Sequence, residues 1–316
     1  MCIRDRYNSL DSRVGIFGRG WSTSYDMSVF VDPFTATAVI VYPDGRREHH
    51  TLQPDWTWKA PLGYVSKLEP LPGGLFKLTH KDKSAYNFSA AGKLTSVADR
   101  YGRTLTLTYD GAGKLDLVTD TASARHLDFT FAGNKVVSVA TTAVSGPGYS
   151  GPLQWNFGYA GDLLTQVCDP RGNTLGTGFC TTYTYTGDRL TKITRPKGND
   201  ATRVSYDATT GKVNWSENGV GDRNSFSYGG GFTQVTDGRN NATAIFYDHM
   251  FRTTRITEAD TSSTVYEYDT NGFRSAVVDA NNNRATMGYD ERGNLLSQTN
   301  AEGETTWFEY AGDNLV

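Results

Sequence analysis

Apolar and polar residues alternate in many short segments along this chain. In "TLTLTY", residues 104–109, Leu105, Leu107 and Tyr109 fall on one face of an extended backbone. A period of two predicts a β-strand with one buried face. Segments such as "GKLTSVAD", residues 92–99, follow in β-rich composition and supply partner strands. The pattern therefore predicts a succession of antiparallel hairpins.

An aromatic residue ends each of these apolar segments and recurs at steps of 19 to 28 residues. Glycine follows this anchor by four residues at Gly113, Gly272 and Gly293, and a second polar turn lies about ten residues further on. Such regular spacing is the signature of a repeat protein. The predicted structural anchors are Tyr86, Tyr109, Phe131, Tyr159, Tyr185, Tyr206, Tyr228, Tyr247, Tyr268, Tyr289 and Tyr310.

The repeated unit of about 21 residues is too small to fold alone. Ordering its backbone costs on the order of 20–40 kcal/mol. One buried aromatic returns only about 4–6 kcal/mol. Stability must come from neighbouring units, so the predicted fold class is all-β, an array of antiparallel β-hairpins. The longer steps at 131–159 and 159–185 indicate surface insertions.

The chain divides into three predicted regions. Residues 1–6, "MCIRDR", resemble translated adapter sequence, and residues 7–85 form a β-rich capping region that precedes the repeats. Residues 86–316 form the repeat array, which stops in mid-repeat. Hairpin signals within the capping region are "YPDGRREHH" (42–50) and "EPLPGGLFKLTH" (69–80), and Trp21, Trp56 and Trp58 are expected to be buried.

Composition excludes several classes of partner. The net charge is −3 with a pI near 6.0, and the sequence has no basic stripe of the kind that binds nucleic acid. No apolar run reaches the roughly 18 residues of a membrane span. We therefore expect neither a nucleic-acid partner nor a membrane span.

Catalytic and metal-binding patterns are weak throughout. The pair His49–His50 alternates across a strand and makes a poor chelate. "GPGYSG" (146–151) satisfies a dinucleotide pattern literally, but the flanking prolines favour a loop. "DANNN" (279–283) lacks the spacing of a calcium loop. We predict no catalytic residue, no metal site and no cofactor.

Two side-chain sets carry structural expectations. The aspartates at turns recur with the repeat, as Asx-turn formers do and catalytic acids do not; they are Asp99, Asp120, Asp169, Asp237 and Asp279. Cys168 and Cys180 bracket a glycine-rich loop and form a disulfide candidate in an oxidising compartment. The spacing alone leaves open whether the bridge forms.

The unit Tyr-Asp-x-x-Gly with a Phe or Leu shortly after the glycine, present as "YDTNGF" at 268–273 and as "YDERGNL" at 289–295, resembles the YD repeat of RHS/YD-repeat proteins. "YNSLDSRVGIFGRGWSTSYDM" (7–27), with its G-x-G-W element at Gly18 to Trp21, is similar to the segment that precedes those repeats in bacterial members. The resemblance covers essentially all of residues 7–316. It implies a spiral sheet that forms part of a hollow shell, or cocoon, around a C-terminal toxin domain in cis.

The resemblance also implies a secreted or cell-surface location, delivery by type VI secretion or an insecticidal toxin complex, and a role in competition between bacteria. This chain departs from a complete member, because it contains neither the core segment with an aspartate self-cleavage motif nor a toxin domain. The residues present are those expected of shell wall.

Three functions compete at this point. The first is a non-catalytic wall of an RHS-type toxin or secreted effector, with a toxin domain and a secretion-system component as partners. The second is an extracellular adhesion or carbohydrate-binding module, in which exposed tyrosines stack on cell-surface glycans. The third, an enzyme, has no supporting side-chain constellation.

Overall fold

The computed structural model describes residues 6–146, 149–172, 179–311 and 314–315. Within these residues the fold is all-β, and the one helical element is a 3₁₀ turn at Pro170–Gly172. The predicted all-β array of antiparallel hairpins is confirmed. No helix among these residues has the length and hydropathy of a membrane span.

The chain forms two compact units, which are described separately. The first comprises Met1–Ala60 and Ser66–Arg203, and the second comprises Pro61–Val65 and Val204–Val316. The second unit therefore includes a five-residue excursion from the capping region. The predicted boundaries at residues 6 and 85 stay predictions. Residues 1–5 of the predicted leader lie outside the described residues, and Arg6 pairs with Ser22.

The first unit holds the strands of the capping region and the first half of the array, whose last strand runs across the boundary between Arg203 and Val204. They are β1 Arg6–Tyr7, β2 Val14–Gly15, β3 Gly18–Arg19, β4 Trp21–Ser22, β5 Ser28–Asp32, β6 Thr37–Val41, β7 Arg47–Leu52, β8 Trp58–Lys59, β9 Lys67–Leu71, β10 Leu75–Thr79, β11 Ala85–Phe88, β12 Leu94–Ala98, β13 Thr104–Tyr109, β14 Leu115–Asp120, β15 His126–Ala132, β16 Lys135–Thr141, β17 Val144–Gly146, β18 Tyr149–Gly151, β19 Gln154–Ala160, β20 Leu163–Cys168, β21 Cys180–Thr186, β22 Arg189–Thr194 and β23 Asp200–Tyr206.

The second unit continues the array with shorter, regular hairpins. Its strands are β24 Val213–Asn218, β25 Arg223–Gly229, β26 Phe232–Thr236, β27 Ala242–Tyr247, β28 Thr253–Thr257, β29 Ser263–Tyr268, β30 Arg274–Val278, β31 Arg284–Tyr289, β32 Leu295–Thr299, β33 Thr305–Trp307, β34 Tyr310–Ala311 and β35 Asn314–Leu315.

Strands pair antiparallel with their neighbours in sequence. In the first unit β5 to β16 and β19 to β23 follow one another as a meander, and β17–β18 form a separate small hairpin. In the second unit β24 to β33 do the same. Sequence neighbours become spatial neighbours because most of the connections are short turns.

Both predicted hairpin signals of the capping region are confirmed. The first becomes β6–β7, with Val41 opposite Arg47, and the second becomes β9–β10, with Leu71 opposite Leu75. The expectation that Trp56 is buried is wrong. Trp56 occupies the tip of the β7–β8 turn at a φ of 66° and is 77% exposed.

The hydrophobic core belongs to the first unit. Residues 7–27, hereafter the N-terminal segment, lie against the strands of the array, where Phe17, Trp21 and Tyr25 are buried. In the second unit most strand residues are half-buried, and Ala276 and Asn294 are the fully buried side chains among its described residues. Packing of the N-terminal segment thus accounts for where the core lies.

Candidate functional site

One turn design closes many hairpins and explains the recurring aspartates. At the β13–β14 turn, Oδ1 of Asp110 accepts the backbone N–H of Ala112 at 2.9 Å and of Lys114 at 2.8 Å. The carbonyl of Asp110 accepts the N–H of Gly113, whose φ is 75°. A positive φ favours glycine, which explains the glycine four residues after the anchor.

The same double acceptance by one carboxylate recurs in both units. It is found at Asp99, Asp237, Asp248, Asp269, Asp279 and Asp290. Asp120 and Asp169 each accept the N–H two residues on. The predicted Asx-turn role is therefore confirmed for all five proposed aspartates. Hydrogen bonds from Asn283 lower the pKa of Asp279, which suits a fixed acceptor rather than a proton-transfer group.

The anchor tyrosines tie consecutive hairpins together through their hydroxyl groups. Tyr109, for example, donates to the carbonyl of Leu94, which begins the preceding strand, at 2.7 Å. Its side chain is half-buried, and burial raises its pKa to about 12. The equivalent bonds run from Tyr159 to Val136, from Tyr185 to Leu164, from Tyr228 to Val213 and from Tyr268 to Thr253.

Most anchors also sit at an irregularity of the ladder. The register shifts between residue pairs 108/109, 130/131, 158/159, 184/185, 246/247, 267/268 and 288/289, each ending in a predicted anchor. A β-bulge re-aims the side chain and increases the local twist. The anchor is therefore the residue at which the strand turns out of the regular pleat into the loop.

Two predicted anchors occupy other positions. In β11 the bulge lies between Asn87 and Phe88, so Phe88, which is 1% exposed, takes the position assigned to Tyr86. The periodicity alone could not separate two aromatics two residues apart on one face. Tyr310 begins β34 and pairs with Leu315, instead of ending a strand of the array.

A row of lysines supports the anchors in the first unit. Lys114 Nζ donates to the carbonyl of Gly133 at 2.6 Å and lies 5.6 Å from the ring centroid of Phe131. Lys93 makes the corresponding contacts with Gly113 and Tyr109. Lys135 makes the same two contacts with Gly161 and Tyr159. Each lysine joins one turn to the next by a charged hydrogen bond and a cation–π contact.

The N-terminal segment is fixed to the anchors by aromatic and polar contacts. Trp21 Nε1 donates to the hydroxyl of Tyr185 at 2.9 Å, and its ring lies 4.9 Å from that of Tyr183. Phe17 packs on Phe157 with ring centroids 4.7 Å apart. The segment therefore adds directly to the repeat array and buries its central anchors.

Gly18 allows this segment to approach the strands closely. The N–H of Arg19 donates to the carbonyl of Asp162 at 2.8 Å, and a Cβ at Gly18 would lie 2.4 Å from the same oxygen. Gly18 also has a φ of 94°. The G-x-G-W element is thus required by backbone contact, since any larger residue at Gly18 would collide with Asp162.

A buried polar cluster lies in the capping region and was not predicted from the sequence. Glu48 and His50 are 2% and 0% exposed, and His50 Nε2 is 2.9 Å from Glu48 Oε1. Tyr42 donates to Glu48 Oε2 at 2.7 Å, and Ser66 also donates to the carboxylate. Burial by itself raises the pKa of Glu48, but the donors outweigh it and lower the pKa to about 2.

The cluster contains serine, histidine and glutamate without the geometry of a catalytic triad. In a triad the carboxylate and the serine use opposite nitrogens of the histidine. Here Glu48 and Ser66 both approach Nε2 of His50, at 2.9 and 3.4 Å, and Nδ1 is buried without a partner. With its low pKa, Glu48 is also a poor proton acceptor. The arrangement stabilises the β6–β7 hairpin and does not activate a nucleophile.

The remaining candidate sites are placed as follows. Cys168 and Cys180 are joined by a disulfide between directly opposed residues of β20 and β21, with Cα atoms 4.0 Å apart. His49 is exposed whereas His50 is buried, as alternation predicts. Residues 147–148 of "GPGYSG" lie outside the described residues. Across the described ranges, no group of three His, Cys, Asp or Glu side chains could hold a metal ion.

Some of these residues carried a signal in the sequence. Lysine follows the turn glycine directly at Lys93 and Lys114, and one residue later at Lys135. This spacing indicates a role for the lysines in the repeat. The Glu48 cluster carried no such signal, since Ser66 and His80 reach it from other hairpins.

Comparison with known proteins places these features in a family. Residues 3–50 match the family model described as Domain of unknown function (DUF6531). A stretch of 109 residues is 28% identical to the tRNA nuclease WapA of Bacillus subtilis strain 168, covering 34% of this chain and 5% of that protein. In these matches the chain is similar to RHS/YD-repeat proteins. This confirms the resemblance drawn from the YD units and the G-x-G-W segment.

Another curated relative matches this chain over the same number of residues. The tRNA3(Ser)-specific nuclease WapA of Bacillus spizizenii is also 28% identical over 109 residues, again with 34% of this chain and 5% of the relative covered. The chain thus spans about one-twentieth of the length of the curated relatives it matches, 5% in each case.

Two solved structures show a partial likeness to this chain. A TcdB2–TccC3–Cdc42 crystal structure is 14% identical, with 84% of this chain and 17% of that chain covered and a TM-score of 0.44. The Tc holotoxin pore of Photorhabdus luminescens, with a TccC3 mutation, is 14% identical with 90% and 19% covered and a TM-score of 0.46.

Proposed function

We propose that this YD-repeat chain is a non-catalytic wall segment of an RHS-type toxin or secreted effector, and that the wall encloses a C-terminal toxin domain. The observation that carries the proposal is the use made of the recurring side chains. The turn aspartates close their own hairpins, and the anchor tyrosines donate hydrogen bonds that join one hairpin to the preceding one. Recurring polar side chains that form hydrogen bonds within their own sheet are typical of a structural wall.

A non-enzymatic role agrees with the one buried cluster that resembles a catalytic site. Ser66, His50 and Glu48 lack triad geometry, as described above. We expect purified protein to hydrolyse no ester, peptide or nucleotide probe. Hydrolysis that disappears in a Ser66→Ala variant of unchanged stability would contradict this part of the proposal.

Secretion and toxin delivery enter by similarity. The curated relatives are named as tRNA nucleases, and this chain covers 5% of one such protein. We infer a secreted or cell-surface location for the full protein, with a secretion-system component and a toxin domain as partners and competition between bacteria as the setting. The cross-strand disulfide between Cys168 and Cys180 suits an oxidising location.

The direct test is the sequence of the native locus through both ends of this reading frame. The proposal predicts further YD repeats, followed by a domain without the repeat. Purification of that downstream domain should then give a toxic activity that the present chain lacks. A stop codon directly after Val316 would contradict the proposal, which requires further repeats and a downstream domain.

A second candidate, an adhesion or carbohydrate-binding module, draws on aromatic side chains that remain exposed. Trp56 is 77% exposed and Trp307 is 74% exposed. Exposed indoles stack on sugar rings. Binding on a glycan array that is lost in Trp56→Ala or Trp307→Ala variants would support this candidate, whereas folded protein that binds no glycan would remove it.

A further inference from the structure

A cavity of about 390 Å³ lies in the first unit, between the N-terminal segment and the successive turns that precede β12, β14 and β16, hereafter the turn row. One wall comes from the N-terminal segment, through Ile16, Asp26 and Met27. The opposite wall comes from the turns before β12, β14 and β16. It supplies Lys93, Leu94, Tyr109, Gly113, Lys114, Leu115, Phe131 and Asn134. A volume of this size falls within the range of roughly 300–1,000 Å³ that small-molecule sites occupy.

The walls of this cavity divide into an apolar floor and a charged rim. Met27, Leu94 and Leu115 are 3%, 0% and 6% exposed and belong to the packed core, so the apolar surface is fixed in place. Lys93 and Lys114 bring two ammonium groups to the same cavity, against one carboxylate from Asp26. The charge balance therefore favours an anionic group.

Each ammonium group has donors to spare. An ammonium carries three N–H bonds. Lys114 Nζ donates to the carbonyl of Gly133 at 2.6 Å, and Lys93 Nζ donates to the carbonyl of Gly113. These bonds hold the two nitrogens in position while leaving further donors for a ligand. A carboxylate that accepts from these donors would have its apolar body over the floor formed by Met27 and Leu115.

Asp26 gives this cavity a dependence on pH. Its Oδ2 accepts the N–H of Thr23 at 2.6 Å, and burial raises its pKa to about 6. The charged or titratable groups around it are Arg13 on its own segment, Tyr109 on β13, and Lys93 and Lys114 on the turns. Above the pKa the ionised Asp26 repels a second carboxylate, and below it the neutral acid can donate to one.

We propose that this cavity binds a small organic carboxylate with an apolar body and that Lys93 and Lys114 hold the carboxylate. The site is independent of the wall function, since it needs only the first unit. A free fatty acid and the terminal carboxylate of a peptide share this chemistry.

The test uses octanoate as probe and the methionine methyl groups as reporters. The sequence has four methionines, and Met27 lines the cavity whereas Met250 and Met287 belong to the second unit. In methyl-labelled protein, octanoate should shift the Met27 resonance saturably and leave Met250 and Met287 unchanged. Octanol and octylammonium, of matched length, should bind at least about tenfold more weakly because they lack the anion.

Amino-acid substitutions and a change of pH test the roles of the charged side chains in octanoate binding. Octanoate should bind about tenfold or more tightly at pH 5 than at pH 7.5, and Asp26→Asn should abolish that difference. Lys93→Gln with Lys114→Gln should weaken binding about tenfold or more at both pH values. The matched control is Lys135→Gln, which removes the same type of bond, to Gly161, outside the cavity lining. It should leave octanoate binding unchanged.

Several results would overturn the proposal. They are an unshifted Met27 resonance at both pH values, equal binding of octanol and octanoate, or an equal effect of Lys135→Gln and the double variant. N-acetyl-leucinate distinguishes the two sources of carboxylate: tighter binding than octanoate indicates a peptide terminus, and weaker binding indicates a fatty acid.

Discussion

At the scale of single residues, the repeat depends on where backbone and side-chain atoms approach most closely. Glycines fill the turn positions, but for different reasons. Gly73 has a φ of 81° with no atom within 4 Å of an added Cβ, whereas a Cβ at Gly92 would lie 1.9 Å from the carbonyl oxygen of Val29. The sequence predicts a turn glycine at both positions and cannot distinguish the open turn from the close backbone contact.

Substituting these two glycines separates strain from contact. Gly73→Ala should lower the free energy of unfolding by about 1–2 kcal/mol, the cost of a left-handed residue. Gly92→Ala should cost clearly more, because the bond from Val29 N to Gly92 O must shift as well. Urea denaturation of both variants measures the difference. Equal losses would show that close contact at Gly92 contributes nothing.

The Glu48 cluster gives a dependence of stability on pH. The pKa of the Glu48 carboxyl falls from 4.5 to about 2 in the folded protein. Its contribution to folding stability is therefore present above pH 4.5 and is lost as the pH falls towards 2. At pH 7, Glu48→Gln should lower stability by about 3 kcal/mol and remove this part of the acid dependence.

The control for that variant is Glu69→Gln, which breaks an exposed ion pair with Lys67 at 2.7 Å. A surface pair of this kind is worth about 1 kcal/mol or less. Denaturation curves between pH 2 and pH 7 compare the two variants. A Glu48→Gln variant as stable as Glu69→Gln at pH 7 would contradict the assigned role.

At the scale of elements, the unit of construction is a hairpin joined to its predecessor by a tyrosine hydroxyl. Tyr268 makes one such bond, to Thr253 at 2.7 Å. Tyr185 makes two, since it donates to Leu164 at 2.7 Å and accepts from Trp21 at 2.9 Å. The N-terminal segment therefore strengthens the anchors that it covers.

Removing only the hydroxyl tests this account. Tyr268→Phe should cost about 1 kcal/mol and Tyr185→Phe about 2 kcal/mol, because each hydrogen bond contributes about 1 kcal/mol. Chemical denaturation of the two variants gives the values. Equal losses would indicate that the Trp21 bond does not stabilise the N-terminal segment against the array.

The disulfide joins β20 to β21 across a separation of 12 residues. Closing a loop of this size constrains the unfolded chain and is worth up to about 3 kcal/mol. The paired substitution Cys168→Ala with Cys180→Ala should lower the melting temperature, as should reduction of the wild type. Reductant should have no further effect on the double variant. A variant with an unchanged melting temperature would show that the bridge contributes no stability.

At the scale of the whole molecule, the sequence predicts the hairpins well and the packing between distant segments poorly. Alternation in residues 104–109 and the Tyr-Asp-x-x-Gly spacing act within one hairpin, and both give correct strands and turns. The contact between Trp21 and Tyr185 joins residues 164 positions apart, which no local period encodes. The position of Phe88 was missed because Tyr86 lies on the same face, two residues away.

The same distinction between contacts within one hairpin and contacts between distant segments applies to the candidate sites. Asx turns are local and were predicted from their repetition. The Glu48 cluster brings together Tyr42, Ser66 and His80 from successive hairpins. The octanoate cavity requires the N-terminal segment to lie across the turn row, and this arrangement appears only in three dimensions.

The proposed function of the wall is to protect a second domain, so its test requires the full-length protein. The measurement that tests it most directly is protease digestion of the full-length protein encoded at the native locus. We predict that the C-terminal domain resists cleavage at protease concentrations that destroy the same domain alone. A Tyr185→Ala variant, which removes a central anchor, should shorten that protection.

Tyr101→Ala is the matched control, because this tyrosine is 68% exposed at a turn tip. It should leave the cleavage rate unchanged. A C-terminal domain that is cleaved equally fast within the full-length protein and alone would contradict the central claim that these hairpins enclose it.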